Sequence, residues 1–390
     1  MPDTIEIRPA RSFREVGEFI DLPYRLHAGT PWIPPLKVER RVFLSRRFGT
    51  YAKRMDYELF CAHRGGEVVG RISAHIDRAY NDHHGARWGW FGFIETEDDP
   101  AIAGALLDAA SDWLRERGME RMVGPADFTV NDESGIVVEG HDIEPMIREP
   151  WHPRYYQGLM EQAGLEKVVD LFMYHLDVGD RGNVLPALVE VGEKAVSEHG
   201  VKIRKMSRRR LRKDLDVFAE TYNQAWSKNW GFVPYGKEDL DQYGHEMQLV
   251  YAKPWFMVAE IDGEPVAIAI TVPDINMALK HMNGRLLPFG WLKYLRRNKY
   301  ITGVRVGFLG VKPEHQHTGV AGALYMEHYD VCERDPLVHY GETGWILETN
   351  EPMNRGMEAM GGKIIKRYRM YERLLDPAAE PQRLGQPADS

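Results

Sequence analysis

Apolar residues along the chain keep two spacings, alternate positions and every third or fourth position, which predict strands and helices in turn. Val304, Val306 and Phe308 alternate, Leu309 and Val311 extend the run, and Lys312-Pro313 ends it, since proline does not continue a central strand. A polar turn follows, and then Val320, Leu324, His328 and Val331 or Cys332 fall on one helix face. An earlier segment repeats that order: Ala101–Arg117 carries the stripe Ile102, Leu106, Ala110, Trp113 and Leu114. Phe256–Ile261 and Pro265–Val272, joined by Asp262-Gly263, read as a hairpin. Leu185–His199 reads as an amphipathic helix between the two series. Strands mixed with crossover helices predict an α/β fold, a mixed α+β-type sheet with helices on both faces.

The series is written twice. Gly66-Glu67 and Val69 recur as Gly263-Glu264 and Val266; Gly92-Phe93-Ile94 recurs as Gly307-Phe308-Leu309. Gly104-Ala105-Leu106 returns as Gly322-Ala323-Leu324, and Met160-Glu161, Gly164 and Met173-Tyr174 as Met357-Glu358, Gly361 and Met370-Tyr371. Anchors in one order, each opening the same kind of element, predict a duplication. Its parts are a first domain over 1–178, a linker helix within 179–200, a second domain over 201–375 and a Pro-rich flexible tail over 376–390. Met277–Lys299 is an insertion of the second copy and Gly124–Pro153 one of the first.

At 390 residues the chain has room for two domains, and 43% hydrophobic with 28% charged residues is ordinary globular composition. A net charge of −8 argues against nonspecific nucleic-acid binding. Cys61 and Cys332 stand far apart, without metal-ligand spacing, which suits a reducing cytoplasm; no metal is expected. No leader and no run long enough to span a membrane are apparent, so the expectation is a cytoplasmic protein that is not integral to a membrane. His75 and His83-His84 lack partners at ligand spacing and read as solvated. The basic run Lys202–Lys213 reads as a solvated helix start or end, with a contact to a coenzyme phosphate left open.

The chemistry concentrates between Leu309 and Ala323. A strand, a turn of small residues and a helix N-terminus make an anion site, because the first-turn N–H groups lack intrahelical partners. Gly319, Ala321 and Gly322 leave the backbone open to a bulky phosphate. The turn has neither the Gly-Lys-Ser/Thr of a Walker loop nor the Gly-x-Gly-x-x-Gly of a dinucleotide site. Its spelling, Gln316-His-Thr-Gly319-Val-Ala321 after Val311-Lys-Pro313, resembles the pyrophosphate loop of the GNAT acyltransferase superfamily. Trp345–Asn350 and Met357–Tyr371 resemble the strand, helix and last strand that follow it there, so the resemblance spans most of the second half.

That resemblance implies a tandem GNAT fold, with acetyl-CoA or another acyl-CoA as co-substrate. Coenzyme-binding residues carried over are Leu309, Gly310, Val311, Gln316, His317, Thr318, Gly319, Val320, Ala321, Gly322, Asn350 and Asn354. It implies a bulged key strand with free N–H groups, expected at Gly310. The family's usual Glu on that strand is missing from Thr302–Val311, and Met357 stands where its Tyr is expected. Glu348 is the candidate base. In the first copy, Glu95-Thr-Glu97-Asp98-Asp99-Pro100 replaces the turn, shorter and with four carboxylates to repel a pyrophosphate, so only the second copy is expected to take the coenzyme.

The reading is an N-acyltransferase, most simply an acetyltransferase, acting on a small or amino-acid-like amine. Two alternatives stay open: a longer acyl donor covered by Met277–Lys299, or a coenzyme-A-binding module without turnover. For Met277–Lys299 itself a lid, a weak membrane-surface contact through Trp291, Leu292 and Leu295, and plain packing all remain open. Asp127, Asn131, Asp132, Glu133 and His141-Asp142 of the first insertion are candidates to recognise the amine between the copies. Oligomeric state is not written in the sequence.

Overall fold

The computed structural model describes residues 4–49, 51–52, 54–236, 251–335, 337–382 and 384. The first half contains β1 (Glu6–Pro9), α1 (Phe13–Leu26), α2 (Lys37–Phe43), β2 (Met55–Arg64), β3 (Glu67–Asp77), α3 (Arg78–His84) and β4 (Trp88–Thr96). It continues through α4 (Pro100–Arg115), β5 (Arg121–Gly124), β6 (Ile136–Glu139), α5 (Tyr155–Gln162) and β7 (Glu166–Asp177). Helix α6 (Pro186–Ser197) leads to β8 (Lys202–Lys205), α7 (Leu211–Ala225), β9 (Phe256–Ile261), β10 (Glu264–Pro273), α8 (Asn276–Leu279) and α9 (Gly290–Leu295). The second half closes with β11 (Gly303–Val311), α10 (Val320–Arg334), β12 (Tyr340–Leu347), α11 (Glu351–Ala359) and β13 (Lys363–Leu374). The duplicated anchors fall on equivalent elements. Both repeated hairpins turn at positive-φ pairs, Gly65-Gly66 and Asp262-Gly263, as the twist of two-residue hairpins requires.

The halves do not keep separate sheets. One sheet of 13 strands runs β1-β2-β3-β4-β5-β13-β7-β12-β11-β10-β9-β8, with β6 also on β13. The last strand of each half crosses over: β13 lies beside β5, and β7 beside β12. Its parallel pairs are β4 with β5 and β11 with β12, the same step in each copy. Val266 to Ile270 of β10 are all buried, so helices cover both faces there. The seam holds a buried ion cluster. Lys366 Nζ on β13 donates to Glu149 Oε2 at 2.7 Å and to Glu342 Oε2 on β12 at 2.6 Å. Burial works against the Lys366 charge, but the two carboxylates hold its pKa above the usual value.

Several surface expectations are corrected. His75 is fully buried, with Nε2 3.0 Å from the Phe128 carbonyl, and burial pushes its pKa down to about 3. His83 and His84 are exposed as expected, with His84 2.8 Å from the Phe232 carbonyl. Lys202–Lys205 is an edge strand, with Arg204 paired to Asp214 and Glu260 and Lys205 to Glu327, while the basic residues of Arg208–Lys213 are exposed on the approach to and start of α7, as expected. The start of the tail is anchored: Arg121 donates to the Glu380 carbonyl at 2.9 Å, and Trp230 to Gln382 at 2.8 Å. Residues 385–390, also assigned to a flexible tail, lie outside the described residues. Among the described residues no helix is long and apolar enough to cross a membrane.

The crossover makes each half dependent on the other. Expressed alone, 1–178 and 201–390 each lose the partner strand of their fifth strand and expose long unpaired edges. Each fragment is expected to be insoluble or to lack a cooperative thermal transition. Co-expression should return a soluble complex with the full chain's far-UV spectrum. A fragment that folds cooperatively by itself contradicts the shared sheet.

Candidate active site

Strands β11 and β12 pair only from Gly303–Val306 to Tyr340–Thr343, and beyond that point they part. Against β10 the register slips: Phe308 faces Ile270 while Val306 faces Thr271, leaving Gly307 as the unpaired bulge residue. The bulge was expected at Gly310. Gly310 serves another purpose, since a Cβ there would lie 2.1 Å from the Trp226 ring that packs across it. The cleft between the parted strands holds a cavity of about 160 Å³ lined by Gly307, Phe308, Gly344 and Trp345. Tyr222 and Trp226 of α7 form one wall, and Asn131, Ile147 and Arg148 of the first half form another. Asn131 Nδ2 donates to the Tyr222 hydroxyl at 3.3 Å, and burial pushes Tyr222 up to about 12, so it keeps its proton at neutral pH.

The turn leading out of β11 is a short 3-10 segment, Pro313–Thr318, closed by Gly319 at φ 73°. Thr318 donates its hydroxyl to the His315 carbonyl at 2.7 Å, while Gln316 and His317 are exposed. No side chain caps the first turn of α10, so its amides are available to an anion. At Gly319 and Gly322 an added side chain would run into α6. A Cβ on Gly319 would meet Val191 at 2.8 Å, and Gly322 lies against Gly192 closely enough that a Cβ would sit 3.2 Å from its nitrogen. They allow α6 to press on α10. Leu309 and Val311 are ladder residues opposite Ala269 and Ala267.

Three further candidates are occupied structurally. Glu348 accepts from Lys167 Nζ at 3.0 Å and from the Asp170 amide at 2.8 Å, and it lines neither cavity, so a base role there is withdrawn. Its place at the end of β12 suggested the cleft, but the inserted β7 strand supplies partners for both oxygens. Asn350 caps α11 by accepting from the Met353 amide at 3.3 Å. Asn354 donates to the Leu347 carbonyl at 3.1 Å and accepts from Tyr174. Met357 is fully buried. Tyr222 was missed; its only sequence signal is the aromatic cluster Tyr222, Trp226, Trp230 and Phe232.

The first copy has the same cleft, filled differently. β4 and β5 pair only over Trp88–Trp90, and Phe93, at φ 50°, sits in the corresponding bulge. Its amide donates to Asp127 at 2.7 Å, and the helix behind it is capped by its own Asp99, which accepts from Ala101 at 2.9 Å. Of the four carboxylates in that turn, Glu95 does not face outward: it is buried against His27 at 2.6 Å, as its strand position requires. Both groups that would meet a coenzyme are self-satisfied. Instead the cleft opens into a cavity of about 900 Å³. Leu36, Phe43, Leu279 and Trp291 give it apolar walls, with Asp127, Asp132 and Glu133 at one side. Burial and the neighbouring Glu133 push Asp127 up to about 8. Ile147 and Arg148 line both cavities, so the two adjoin. Among the described residues no group of His, Cys, Asp or Glu forms a metal site.

No family model matches the chain. It is 36% identical over 380 residues to bacterial ceramide synthase of Caulobacter vibrioides, covering 95% of this chain and 98% of that one. It is 33% identical over 377 residues to protein YghO of Escherichia coli, covering 95% of each. A tandem GNAT protein from the clavulanic acid biosynthesis pathway matches with a TM-score of 0.57 at 14% identity, over 96% of this chain and 100% of that one. A GCN5-related N-acetyltransferase from Sphaerobacter thermophilus matches with a TM-score of 0.55 at 13% identity, over 98% of this chain and 99% of that one. The fold is a tandem GNAT fold. The chain belongs to the family that contains bacterial ceramide synthase and YghO.

The turn before α10 gives a direct binding test. Gln316→Glu with His317→Glu adds two carboxylates on exposed positions, avoiding the Val191 clash that any side chain at Gly319 would cause. Coenzyme A affinity by calorimetry is expected to fall at least tenfold, about 1.4 kcal/mol, through repulsion at the helix N-terminus. Glu97→Gln in the first copy should leave it unchanged. Unaltered affinity in the double variant contradicts the assignment.

Proposed function

We propose that the chain transfers a long acyl group from acyl-CoA to the nitrogen of a long-chain amine. The observation that carries this is the cavity of about 900 Å³ in the first copy's cleft, adjoining the second copy's cleft at Ile147 and Arg148. An acetyl group and a small amine would leave most of that apolar volume empty. The longer-chain alternative is therefore favoured over the acetyl reading. The similarity to bacterial ceramide synthase supports it, since a ceramide is an acyl amide of a long-chain amino alcohol. The insertion 277–299 then acts as a lid, through Leu279, Trp291 and Leu295 in the cavity wall.

In this reading the pyrophosphate of the coenzyme lies on the uncapped amides of Val320 and Ala321, and the pantetheine runs along β11 toward Gly307. The amide freed at the Gly307–Phe308 bulge polarises the thioester carbonyl. The neutral amine nitrogen attacks that carbonyl, the C–S bond breaks as the C–N bond forms, and Tyr222, oriented by Asn131, protonates the departing thiolate and regains the proton that the nitrogen sheds. Asp127 and Glu133 face the amine headgroup from the cavity wall. The first copy has exchanged a coenzyme for an acceptor.

Chain length is the discriminating variable. Each buried methylene contributes about 0.8 kcal/mol, so acceptors or donors shortened by four methylenes should lose roughly two orders of magnitude in kcat/KM. Leu279→Trp narrows the cavity and is expected to abolish that preference while sparing short-chain transfer. Equal kcat/KM for acetyl-CoA and a long-chain acyl-CoA, with every amine tried, refutes the reading. Separately, Tyr222→Phe should lower kcat by about 10²–10³-fold with coenzyme affinity intact. Near-normal turnover in that variant removes Tyr222 from the proton step.

A further inference from the structure

The mouth of the large cavity is built from two segments far apart in sequence. Helix α2 and the 277–299 insertion are joined by a hydrogen bond from the Lys37 amide to the Gly284 carbonyl at 3.0 Å and by a shared core of Ile33, Leu279 and Met282. Val38, Val42, Trp291 and Leu295 line the cavity and are also open to solvent, at 55%, 53%, 44% and 66%. Just outside the rim, Leu287 and Phe289 project further, 72% and 68% exposed, without lining the cavity. Large apolar side chains gathered at one opening are not what a water-facing rim requires.

Charge adds a second observation. The chain is acidic overall, with a net charge of −8, yet residues 277–299 contain six Lys and Arg and no Asp or Glu. Arg285, Arg296 and Lys299 are exposed and form no ion pair among the described residues. Exposed aromatic and aliphatic side chains with unpaired cations around them fit an anionic bilayer surface, with the apolar tips in the headgroup region and the cations on the phosphates.

We propose that this rim docks the protein on an anionic phospholipid bilayer, with the cavity mouth facing the lipid, so that a long-chain substrate passes into the cavity without crossing water. The docking surface is Leu287, Phe289, Trp291 and Leu295 with Arg285, Arg296 and Lys299. The passage of substrate rests on the long-chain reading; the docking itself is measured without any substrate.

The test is co-sedimentation of the full chain with vesicles of phosphatidylcholine alone or with 30–40% phosphatidylglycerol (about the anionic content needed for a strong surface potential). Binding is expected to the phosphatidylglycerol vesicles, weakening as salt is raised. Leu287→Asp with Phe289→Asp, and separately Arg296→Glu with Lys299→Glu, should each reduce it at least tenfold. Melting temperature and coenzyme A affinity should not change, since these residues lie outside the cavities. No binding to the anionic vesicles, or binding untouched by either pair, overturns the proposal. So does a wild-type dimer in light scattering that the Leu287/Phe289 pair converts to monomer, because the rim is then a protein interface. A chain that binds vesicles yet transfers only acetyl keeps the docking and loses the long-chain reading, so the two fail separately.

Discussion

The exchange of last strands is the constraint on which the rest of the molecule depends. β7 and β13 lie antiparallel side by side, each next to the other half's fifth strand. The fifth strand forms one wall of each cleft, so neither cleft can hold its shape unless the other half is folded. Lys366 fixes the seam, joining β13 to Glu342 on β12 and to Glu149 in the segment that separates the cavities. Removing one partner from such a buried cluster typically costs about 3–5 kcal/mol, because the remaining charges stay buried without compensation. Any register of the crossover that separated Lys366 from Glu149 and Glu342 would incur that cost.

With that frame in place, one structural step serves two purposes. In both halves a parallel strand pair parts after a few residues beside a bulge, and a helix follows the first strand of the pair. In the second half the bulge falls at Gly307 and no side chain caps the helix. In the first half Asp127 takes the bulge amide and Asp99 caps the helix, and the opened wedge becomes an apolar cavity. Two carboxylates and a missing glycine turn separate the first cleft from the second. The segment around Ile147 and Arg148 joins the two, and it comes from the first copy's insertion.

Much of this was legible in the sequence. The repeated Gly-Phe-Ile/Leu and Met-Glu anchors marked equivalent strands and helices because local periodicity survives duplication. The strand, turn and helix around Gly319 were legible because a tight turn into a helix demands small residues in a fixed order. What failed did so for tertiary reasons. Glu348 looked free because its two partners, Lys167 and the Asp170 amide, arrive on a strand from the other half. The packing of α6 against Gly319 and Gly322 had no local signature, because a glycine that admits a ligand and one that admits a neighbouring helix read alike. His75 and Glu95 looked exposed because their burial depends on Phe128 and His27, more than fifty residues away in sequence. The large cavity had no local signature at all, being assembled from α2, the first cleft and the second copy's insertion.

The central claim is a division of labour: one coenzyme in the second cleft and one long-chain ligand in the first, held together. Calorimetric titration of coenzyme A into the full chain, with and without a saturating long-chain alkylamine, tests it most directly. The account predicts one coenzyme per chain in both titrations, with the amine bound alongside. Two coenzymes per chain, or displacement of either ligand by the other, would contradict it.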